Sequence, residues 1–267
     1  MQTEGGKPGD GPPLARGAGV SEIGGRMKIS VIIPAFNEEK LLASSLARIR
    51  EAASVFAERG WWSEVIVCDN NSTDGTAEIA RAAGAMVVAE PVNQISRARN
   101  RGASVARGDW LVFVDADSWP SRRLFEALSR RIETGKVVGG GCTIAMDGGG
   151  LMIHALGGVW NTISRVCRLA AGSFVFCEAE AFRAVGGFSL ELYASEEIDL
   201  SKKLKAHGRK GRKRFDIISE ASLLTSARRG TMYSLREHLR FARKVLKSPQ
   251  ASVKDQKACG MWYDGRR

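Results

Sequence analysis

The sequence WLVFVDAD, residues 110–117, is the most informative stretch of this chain. Its first five residues are apolar, two of them β-branched and two aromatic, which predicts a strand buried on both faces of a parallel sheet. The strand leads directly into Asp115 and Asp117. Ligands of open parallel sheets bind beyond the carboxyl ends of the strands, so these two carboxylates are the first candidates for a functional site.

On both sides of this stretch, strand-like runs alternate with runs of helical spacing. This alternation predicts an α/β fold, a Rossmann-type, mostly parallel sheet with flanking helices. Asn37 is expected to cap the first helix with Glu38 and Glu39 in its first turn, and Gly208 to end a later one. The amphipathic stretch 151–169 is compatible with helix or strand. Strands are predicted at 28–33, 64–68, 85–89, 110–114, 136–146, 173–177 and 217–224, and the last helix at 234–246.

The pattern divides the chain into four parts. Residues 1–26 are rich in Gly and Pro and predict a flexible tail. Residues 27–135 are expected to bind the nucleotide part of a substrate, and residues 136–230 to form an acceptor and catalytic half, with 151–169 bordering the acceptor pocket. Residues 231–267 are expected to form a basic helical extension.

The charge of the chain is concentrated in one segment. The 267 residues include 40 Lys and Arg against 29 Asp and Glu, a net charge of +11. Fifteen of the basic residues but only three acids lie at 202–247, so the rest is close to neutral. This segment predicts contact with an anionic membrane surface, or with the phosphates of a donor or of a phosphorylated or lipid-linked acceptor. Nucleic acid ranks third, because few aromatic residues are interleaved with the charges.

Cysteine usage and hydropathy bear on the compartment. The five cysteines are an odd number without CxxC spacing, which favours a reduced, cytoplasmic chain with Cys68 and Cys177 as core residues. No run reaches the ~18 apolar residues of a membrane span. A peripheral position on the inner face of the membrane is the open alternative.

Polar residues follow three of the predicted strands. The first strand leads into residues 34–38, the second into Asp69 and the fourth into Asp115 and Asp117. Two carboxylates that leave a rigid strand end together can bind one hard divalent cation. Mg²⁺ or Mn²⁺ held by so few protein ligands completes its shell with water and substrate phosphates.

Four motifs, taken in order, resemble the family 2 glycosyltransferases. They are SVIIPAFNEEKLL at 30–42, EVIVCDNNSTDGT at 64–76, ARNRGASVARGDWLVFVDAD at 98–117, and GGF at 186–188 followed by SEEIDL at 195–200. The similarity covers about residues 27–208. It implies a GT-A fold and an enzyme that uses a nucleotide-diphosphate sugar, UDP- or GDP-linked, with inversion at the anomeric carbon, in polysaccharide or glycolipid biosynthesis.

The resemblance also implies roles for single residues. Asp69 would hydrogen-bond the nucleotide base, and Arg99 would contact the nucleotide. Asp117 would coordinate Mn²⁺ or Mg²⁺ on the diphosphate, with Asp115 alongside it. The residues expected to lie against the nucleoside are Pro34, Ala35, Phe36 and Glu38.

Transfer to an acceptor hydroxyl also needs a base from a different segment. The acids Glu196, Glu197 and Asp199 open a predicted helix after a glycine turn. By resemblance to the family's base motif, Glu197 takes the place usually held by Asp. This replacement lengthens the reach by one methylene, so Glu196 and Asp199 stay open as alternatives.

Two other functions compete with this one. A sugar-1-phosphate nucleotidyltransferase would share the sheet and the metal site, but it needs a Gly-rich loop after the first strand, which residues 34–37 do not provide. A basic module that binds polyanions or membranes without catalysis would leave the acidic strand ends incidental, and its binding would depend on salt and not on nucleotide.

Overall fold

The computed structural model describes residues 26–228, residues 253–256, Cys259 and Tyr263. Within residues 26–228 it has eight strands and seven helices. The elements are β1 (Lys28–Ala35), α1 (Leu42–Glu58), β2 (Trp62–Asp69), α2 (Thr76–Ala82), β3 (Met86–Ala89), α3 (Ile95–Val105), β4 (Trp110–Val114), β5 (Ser118–Trp119), α4 (Arg122–Glu133), β6 (Val137–Asp147), α5 (Leu151–Cys167), β7 (Phe174–Glu178), α6 (Ala179–Ala184), α7 (Glu196–Lys210) and β8 (Arg214–Ser226).

The eight strands form one sheet in the order β3-β2-β1-β4-β7-β6-β8-β5. Neighbouring strands from β3 to β4 are parallel, and so are β6 and β8. Strand β7 runs antiparallel between β4 and β6, and β5 runs antiparallel to β8. The predicted α/β fold with a mostly parallel sheet and flanking helices is confirmed.

Helices cover both faces of the sheet because each has one apolar face. Apolar residues of α1, α2 and α4 pack in the core on one face, and those of α3, α6 and α7 in the core on the other. Helix α3 lies especially close to β1. A Cβ added at Gly102 would stand 2.5 Å from Cγ2 of Ile32, so the close approach of α3 requires glycine.

Two of the expected helix boundaries are wrong. Asn37 does not cap α1, which begins at Leu42 after a loop that contains Glu38 and Glu39. Asn37 instead has a left-handed backbone with φ of 53°, which asparagine tolerates better than most residues. Gly208 does not end α7 but lies inside it, where a Cβ would meet Cγ1 of Val138 at 2.6 Å.

The open choice for 151–169 is settled as the helix α5. Cys68 and Cys177 are buried core residues, as predicted. Among the residues that the structure describes, none of the helices has the length and apolar composition needed to cross a bilayer. The predicted tail 1–26, except Arg26, and the predicted basic helix 234–246 lie outside the described residues, and the four-part division of the chain stays a prediction.

Candidate functional site

The carboxyl ends of β1, β2 and β4 meet at one edge of the sheet. Ala35 pairs in register with Asp69, and Ile32 pairs with Phe113. The residues that follow these strands therefore lie side by side, and the structure brings together the segments that the sequence singled out.

The loops at this edge are held by hydrogen bonds between segments distant in sequence. The amide of Asn37 donates to Oγ of Ser72 at 3.0 Å, and the amide of Glu38 donates to Oγ1 of Thr76 at 2.7 Å. The side chain of Asn70 donates to the carbonyl of Val92 at 2.6 Å. Because these bonds form within the protein, the edge is ordered before any ligand arrives.

A pocket at this edge, called here the edge pocket, contains most of the residues expected against a nucleotide. Asp69 is half-buried beside it and accepts a hydrogen bond from the amide of Ser72 at 3.2 Å. The residues of the edge pocket include Pro34, Ala35, Phe36, Glu38, Asn70 and Asp117.

Tyr263 also lines the edge pocket, although it is distant in sequence from the other lining residues. Its hydroxyl donates to the carbonyl of Tyr193 at 3.0 Å, and the two rings meet edge to face at 5.6 Å. Burial raises the pKa of Tyr263, so it stays a neutral donor at physiological pH. Sequence reasoning missed this residue, because no local sequence pattern predicts that Tyr263 contacts Tyr193, 70 positions away.

A second, wider cleft adjoins the edge pocket. Its volume is about 1340 Å³ including its open mouth, and it shares Asp115 and Asp117 with the edge pocket. Helix α5 contributes Ile153 and Trp160 to its wall. That this cleft receives an acceptor stays a prediction. Glu196 and Glu197 line the same cleft.

Arg99 is the buried centre of this cleft wall. Its side chain is 1% exposed, and its two terminal nitrogens donate to Glu196 at 2.6 Å and to Asp115 at 2.9 Å. It also donates to the carbonyl of Gly172 at 2.6 Å. Burial lowers the pKa of Arg99, but the charges of Asp115 and Glu196 outweigh burial and raise it above its usual value. These partners are protein groups, so the expected contact of Arg99 with a nucleotide stays a prediction.

The three candidate bases occupy different surroundings. Burial, together with the charge of Glu196, raises the pKa of Glu197 to about 8, and Arg99 offsets this only in part. Glu196 is engaged by Arg99. Asp199 forms an ion pair with Lys203 at 2.8 Å and is not among the described residues that line the cleft.

Arg228 forms a second cluster at the mouth of the edge pocket. Its Nη2 atom donates to both carboxylate oxygens of Glu38, at 2.8 and 2.9 Å, and lies 3.3 Å from Oδ2 of Asp117. Sequence reasoning did not single out Arg228. The available signal was its position just after β8, at the same edge where the other strand ends were inspected.

The carboxylates at this edge are suited to a hard divalent cation. Among the described residues no group of three or more His, Cys, Asp or Glu is assembled for a metal. Asp117 and Glu38 nevertheless surround one positive nitrogen of Arg228 with three carboxylate oxygens, which shows that the site favours positive charge. Oxygen ligands of this kind suit Mg²⁺ or Mn²⁺ bound by few protein groups.

The described part of the basic segment 202–247 does not converge on this edge. Arg212 and Lys213 lie in the turn before β8, and Lys213 is paired with Glu178. Strand β8 has 13 residues, so this turn lies roughly 40 Å from Arg228 along the strand. Of the described cations after residue 202, Arg228 is the one placed at the site.

The chain was compared with known proteins. The model of the glycosyl transferase family 2 matches residues 30–183, more than half of the chain. A 4,4'-diaponeurosporenoate glycosyltransferase of Staphylococcus haemolyticus is 41% identical over 96 residues, which are 33% of this chain and 24% of that protein. The glycosyltransferase GlyA of Streptococcus pneumoniae is 31% identical over 110 residues, 39% of this chain and 15% of that protein. The chain spans about a third or less of the first three curated relatives it matches.

Solved structures show the same fold. The mannosyltransferase PcManGT of Pyrobaculum calidifontis, solved with GDP-Man and Mn²⁺, aligns with a TM-score of 0.62 and 19% identity over 90% of this chain and 74% of that one. The glucosyl-3-phosphoglycerate synthase of Mycobacterium tuberculosis, solved with Mn²⁺, UDP and phosphoglyceric acid, aligns with a TM-score of 0.56 and 22% identity over 88% and 79%. These likenesses show the GT-A fold, and the family model, which matches more than half of the chain, shows that the chain belongs to glycosyl transferase family 2.

Proposed function

We propose that this enzyme transfers a sugar from a UDP- or GDP-linked donor to an acceptor hydroxyl, with inversion at the anomeric carbon. One observation carries the proposal. Asp117 lines both the edge pocket and the wide cleft, while Glu197 lines the cleft. A donor with its nucleoside in the edge pocket and its diphosphate at Asp117 would extend its sugar toward Glu197.

The edge pocket supplies the donor contacts. Asp69, next in sequence to the lining residue Asn70, would bind the base, and residues 34–36, which line the pocket, would lie against the nucleoside. Asp117 would hold a divalent cation with Asp115 alongside. When bound, that cation neutralises charge on the departing nucleoside diphosphate. GDP-Man, UDP and Mn²⁺ in the structures of PcManGT and of the synthase support this donor class.

Glu197 is the base in this proposal. It accepts the proton of the acceptor hydroxyl while the acceptor oxygen bonds to the anomeric carbon and the bond from that carbon to the diphosphate oxygen breaks. A single displacement of this kind inverts the configuration. A base acts in its deprotonated form and works best when its pKa is near the working pH. The pKa of Glu197 is raised to about 8, so transfer should speed up as the pH rises toward this value. The engagement of Glu196 by Arg99 and of Asp199 by Lys203 disfavours both alternatives.

Arg99 acts as a positioning residue in this scheme. It links Asp115, at the end of β4, to Glu196, at the start of α7. The donor side and the base side of the cleft are thereby held in one buried ion-pair network. Its charge also sets how easily the neighbouring Glu197 releases its proton.

Thermal unfolding with nucleotides tests the donor site. UDP or GDP with Mn²⁺ should raise the Tm, because a ligand at a hundredfold excess over its Kd stabilises by about 2.7 kcal/mol. Asp117→Ala should lose this gain. Glu197→Gln is the matched control, since it should keep the gain and lose transfer. Failure of every nucleoside diphosphate to stabilise the protein at millimolar concentration would refute the proposal. If one of them does stabilise it, incubation with a panel of nucleotide sugars identifies the donor by its slow hydrolysis.

A further inference from the structure

Helix α5 carries an unusual share of the exposed apolar surface. Nine large apolar side chains are exposed among the described residues, and six of them lie on this one helix. The other three are scattered over separate segments. The six are Leu151 (87% exposed), Met152 (67%), Leu156 (63%), Val159 (59%), Ile163 (42%) and Val166 (77%).

Five of the six lie on a single face of the helix. Positions 152, 156, 159, 163 and 166 are separated by four, three, four and three residues, which aligns them along one stripe. We call this set the α5 stripe. A continuous apolar stripe of this length is a recognition surface, whereas apolar residues scattered singly are ordinary.

The other face of α5 is anchored to the protein. The side chain of Asn161 donates to the carbonyl of Ile144 and accepts from its amide, both at 2.8 Å, so it continues the hydrogen bonding of β6. Gly157 and Ser164 are buried on this face. The helix therefore presents its stripe outward in a fixed orientation.

The segment that carries the stripe has charges of one sign. No Asp or Glu occurs between Asp147 and Glu178. Arg165, which lies outside the stripe by its helical spacing, and Arg168 are exposed near the C-terminal end of the helix, where Lys205 of α7 donates to the carbonyl of Cys167 at 2.8 Å. An apolar stripe on a basic segment without acids complements an anionic lipid surface, which offers an apolar layer beneath negative headgroups.

We propose that the α5 stripe binds the surface of an anionic phospholipid bilayer, with the helix axis in the plane of the membrane. With 17 residues the helix is about 26 Å long, a length suited to lying in the interface. The inner face of the same helix lines the wide cleft through Ile153 and Trp160. Bilayer binding would therefore hold the cleft beside the membrane. The α5 stripe contains no residue of the basic helix predicted at 234–246.

Vesicle binding by the full chain tests the proposal without any nucleotide, so its outcome is independent of the transfer reaction. The protein should co-sediment with vesicles of phosphatidylcholine and phosphatidylglycerol, and more weakly with phosphatidylcholine alone. Leu156→Glu with Val159→Glu should lower the partition coefficient about tenfold or more, because it removes two apolar contacts and adds negative charge. The matched control is Met86→Glu, an exposed apolar position at the far edge of the sheet, which should bind like the parent.

Cys167 provides a second readout on the helix itself. It is the one exposed cysteine, and the other four are buried, so a maleimide fluorophore should label it selectively. Anionic vesicles should shift the emission of that label to the blue, and they should do so much less in the double variant.

Three results would overturn the proposal. One is equal vesicle binding by the parent and the double variant. Another is a parent dimer in light scattering that the double variant converts to a monomer while neither binds vesicles, because a second copy would then cover the stripe. The third is protection of Cys167 from maleimide in the lipid-free monomer, because the chain itself would then cover this end of the helix.

Discussion

Two arginines organise the two sides of the site, and they are held in different ways. Arg99 is 1% exposed and uses both terminal nitrogens to join Asp115, Glu196 and the carbonyl of Gly172. Arg228 is 15% exposed and reaches Glu38 and Asp117 through one nitrogen, Nη2. We therefore expect Arg99 to keep its partners whether or not a ligand is bound. Arg228, in contrast, is expected to be displaced from Glu38 and Asp117 by a ligand or cation.

The two clusters also balance their charge differently. One guanidinium faces three acids in the Arg99 cluster, Asp115, Glu196 and Glu197, and a proton on Glu197, whose pKa is raised to about 8, lowers the excess from two negative charges to one. In the Arg228 cluster one guanidinium contacts two carboxylates, those of Glu38 and Asp117. Asp115 and Asp117, only two residues apart, thus have different partners: Asp115 contacts the buried Arg99, and Asp117 contacts the more exposed Arg228.

Arg99→Met should have the largest effect on stability. It leaves the buried carboxylate of Glu196 and the half-buried carboxylate of Asp115 without their cation, which costs about 3–5 kcal/mol of the free energy of unfolding. It also removes the guanidinium stacked on Phe188 at 5.1 Å. Urea denaturation followed by circular dichroism measures the loss.

Arg81→Met is the matched control for Arg99→Met, because Arg81 forms an exposed ion pair with Glu78. Such pairs are worth about 0–1 kcal/mol, so the control should unfold almost like the parent. Equal losses in the two variants would show that Arg99 is not the structural centre of the cleft.

Arg228→Met should have an intermediate effect that depends on metal. In metal-free buffer it should cost about 2–3 kcal/mol, because Glu38 and Asp117 are left close together with no cation between them. Millimolar Mn²⁺ should restore most of this loss, since the cation takes the place of the guanidinium. Thermal unfolding with and without Mn²⁺ measures both values.

The comparison between the two arginines depends on that recovery. Mn²⁺ should not rescue Arg99→Met, whose empty position lies inside the protein and away from the edge pocket. If Mn²⁺ rescues both variants equally, or neither, the distinction between a permanent Arg99 cluster and an Arg228 cluster that a cation can replace is wrong.

The sequence predicts the fold and the sheet edge at which the candidate site lies, for physical reasons that are local. Strand β4 is predicted at its observed bounds because five apolar residues are followed directly by Asp115 and Asp117. Since ligands of parallel sheets bind beyond the carboxyl ends of the strands, the loops around Asp69 and Asp117 are then the ones to consider. The acidic first turn of α7 was equally visible, and the structure places Glu196 and Glu197 in the cleft. The alternation of strands with helices and the polar residues at strand ends are local signals, so both can be recognised from the sequence alone.

What the sequence did not reveal depends on contacts between distant residues. Arg228 meets Glu38 across 190 positions, and Tyr263 reaches Tyr193 across 70. Gly208 looked like a helix end because local rules favour glycine there, but it is needed for the close approach of α7 to β6. The ranking of the three neighbouring acids as candidate bases likewise depends on distant contacts. Arg99 pairs with Glu196, and Lys203 pairs with Asp199.

The smallest stability effect is expected for Glu197→Gln, and it should be a gain. The pKa of Glu197 is about 8 in the folded protein and near 4.5 when unperturbed, so between these values the folded state binds more protons than the unfolded state. The parent therefore loses stability as pH rises through this window, and the loss is complete above pH 8.

Glutamine carries no charge at any pH, so Glu197→Gln avoids this loss. Its advantage over the parent should be near zero at pH 4.5 and should grow to about 1–2 kcal/mol above pH 8, a value reduced for the solvent that reaches the carboxyl from the cleft. Tm measured across this pH range follows the difference, at roughly 2–4 °C per kcal/mol. Asp199→Asn is the control, because that acid already has Lys203 as a partner and its removal should give no such gain. An advantage of Glu197→Gln that stayed constant with pH would mean that the excess charge of the Arg99 cluster is not carried as a proton on Glu197, and the contrast between the two clusters would lose its electrostatic basis.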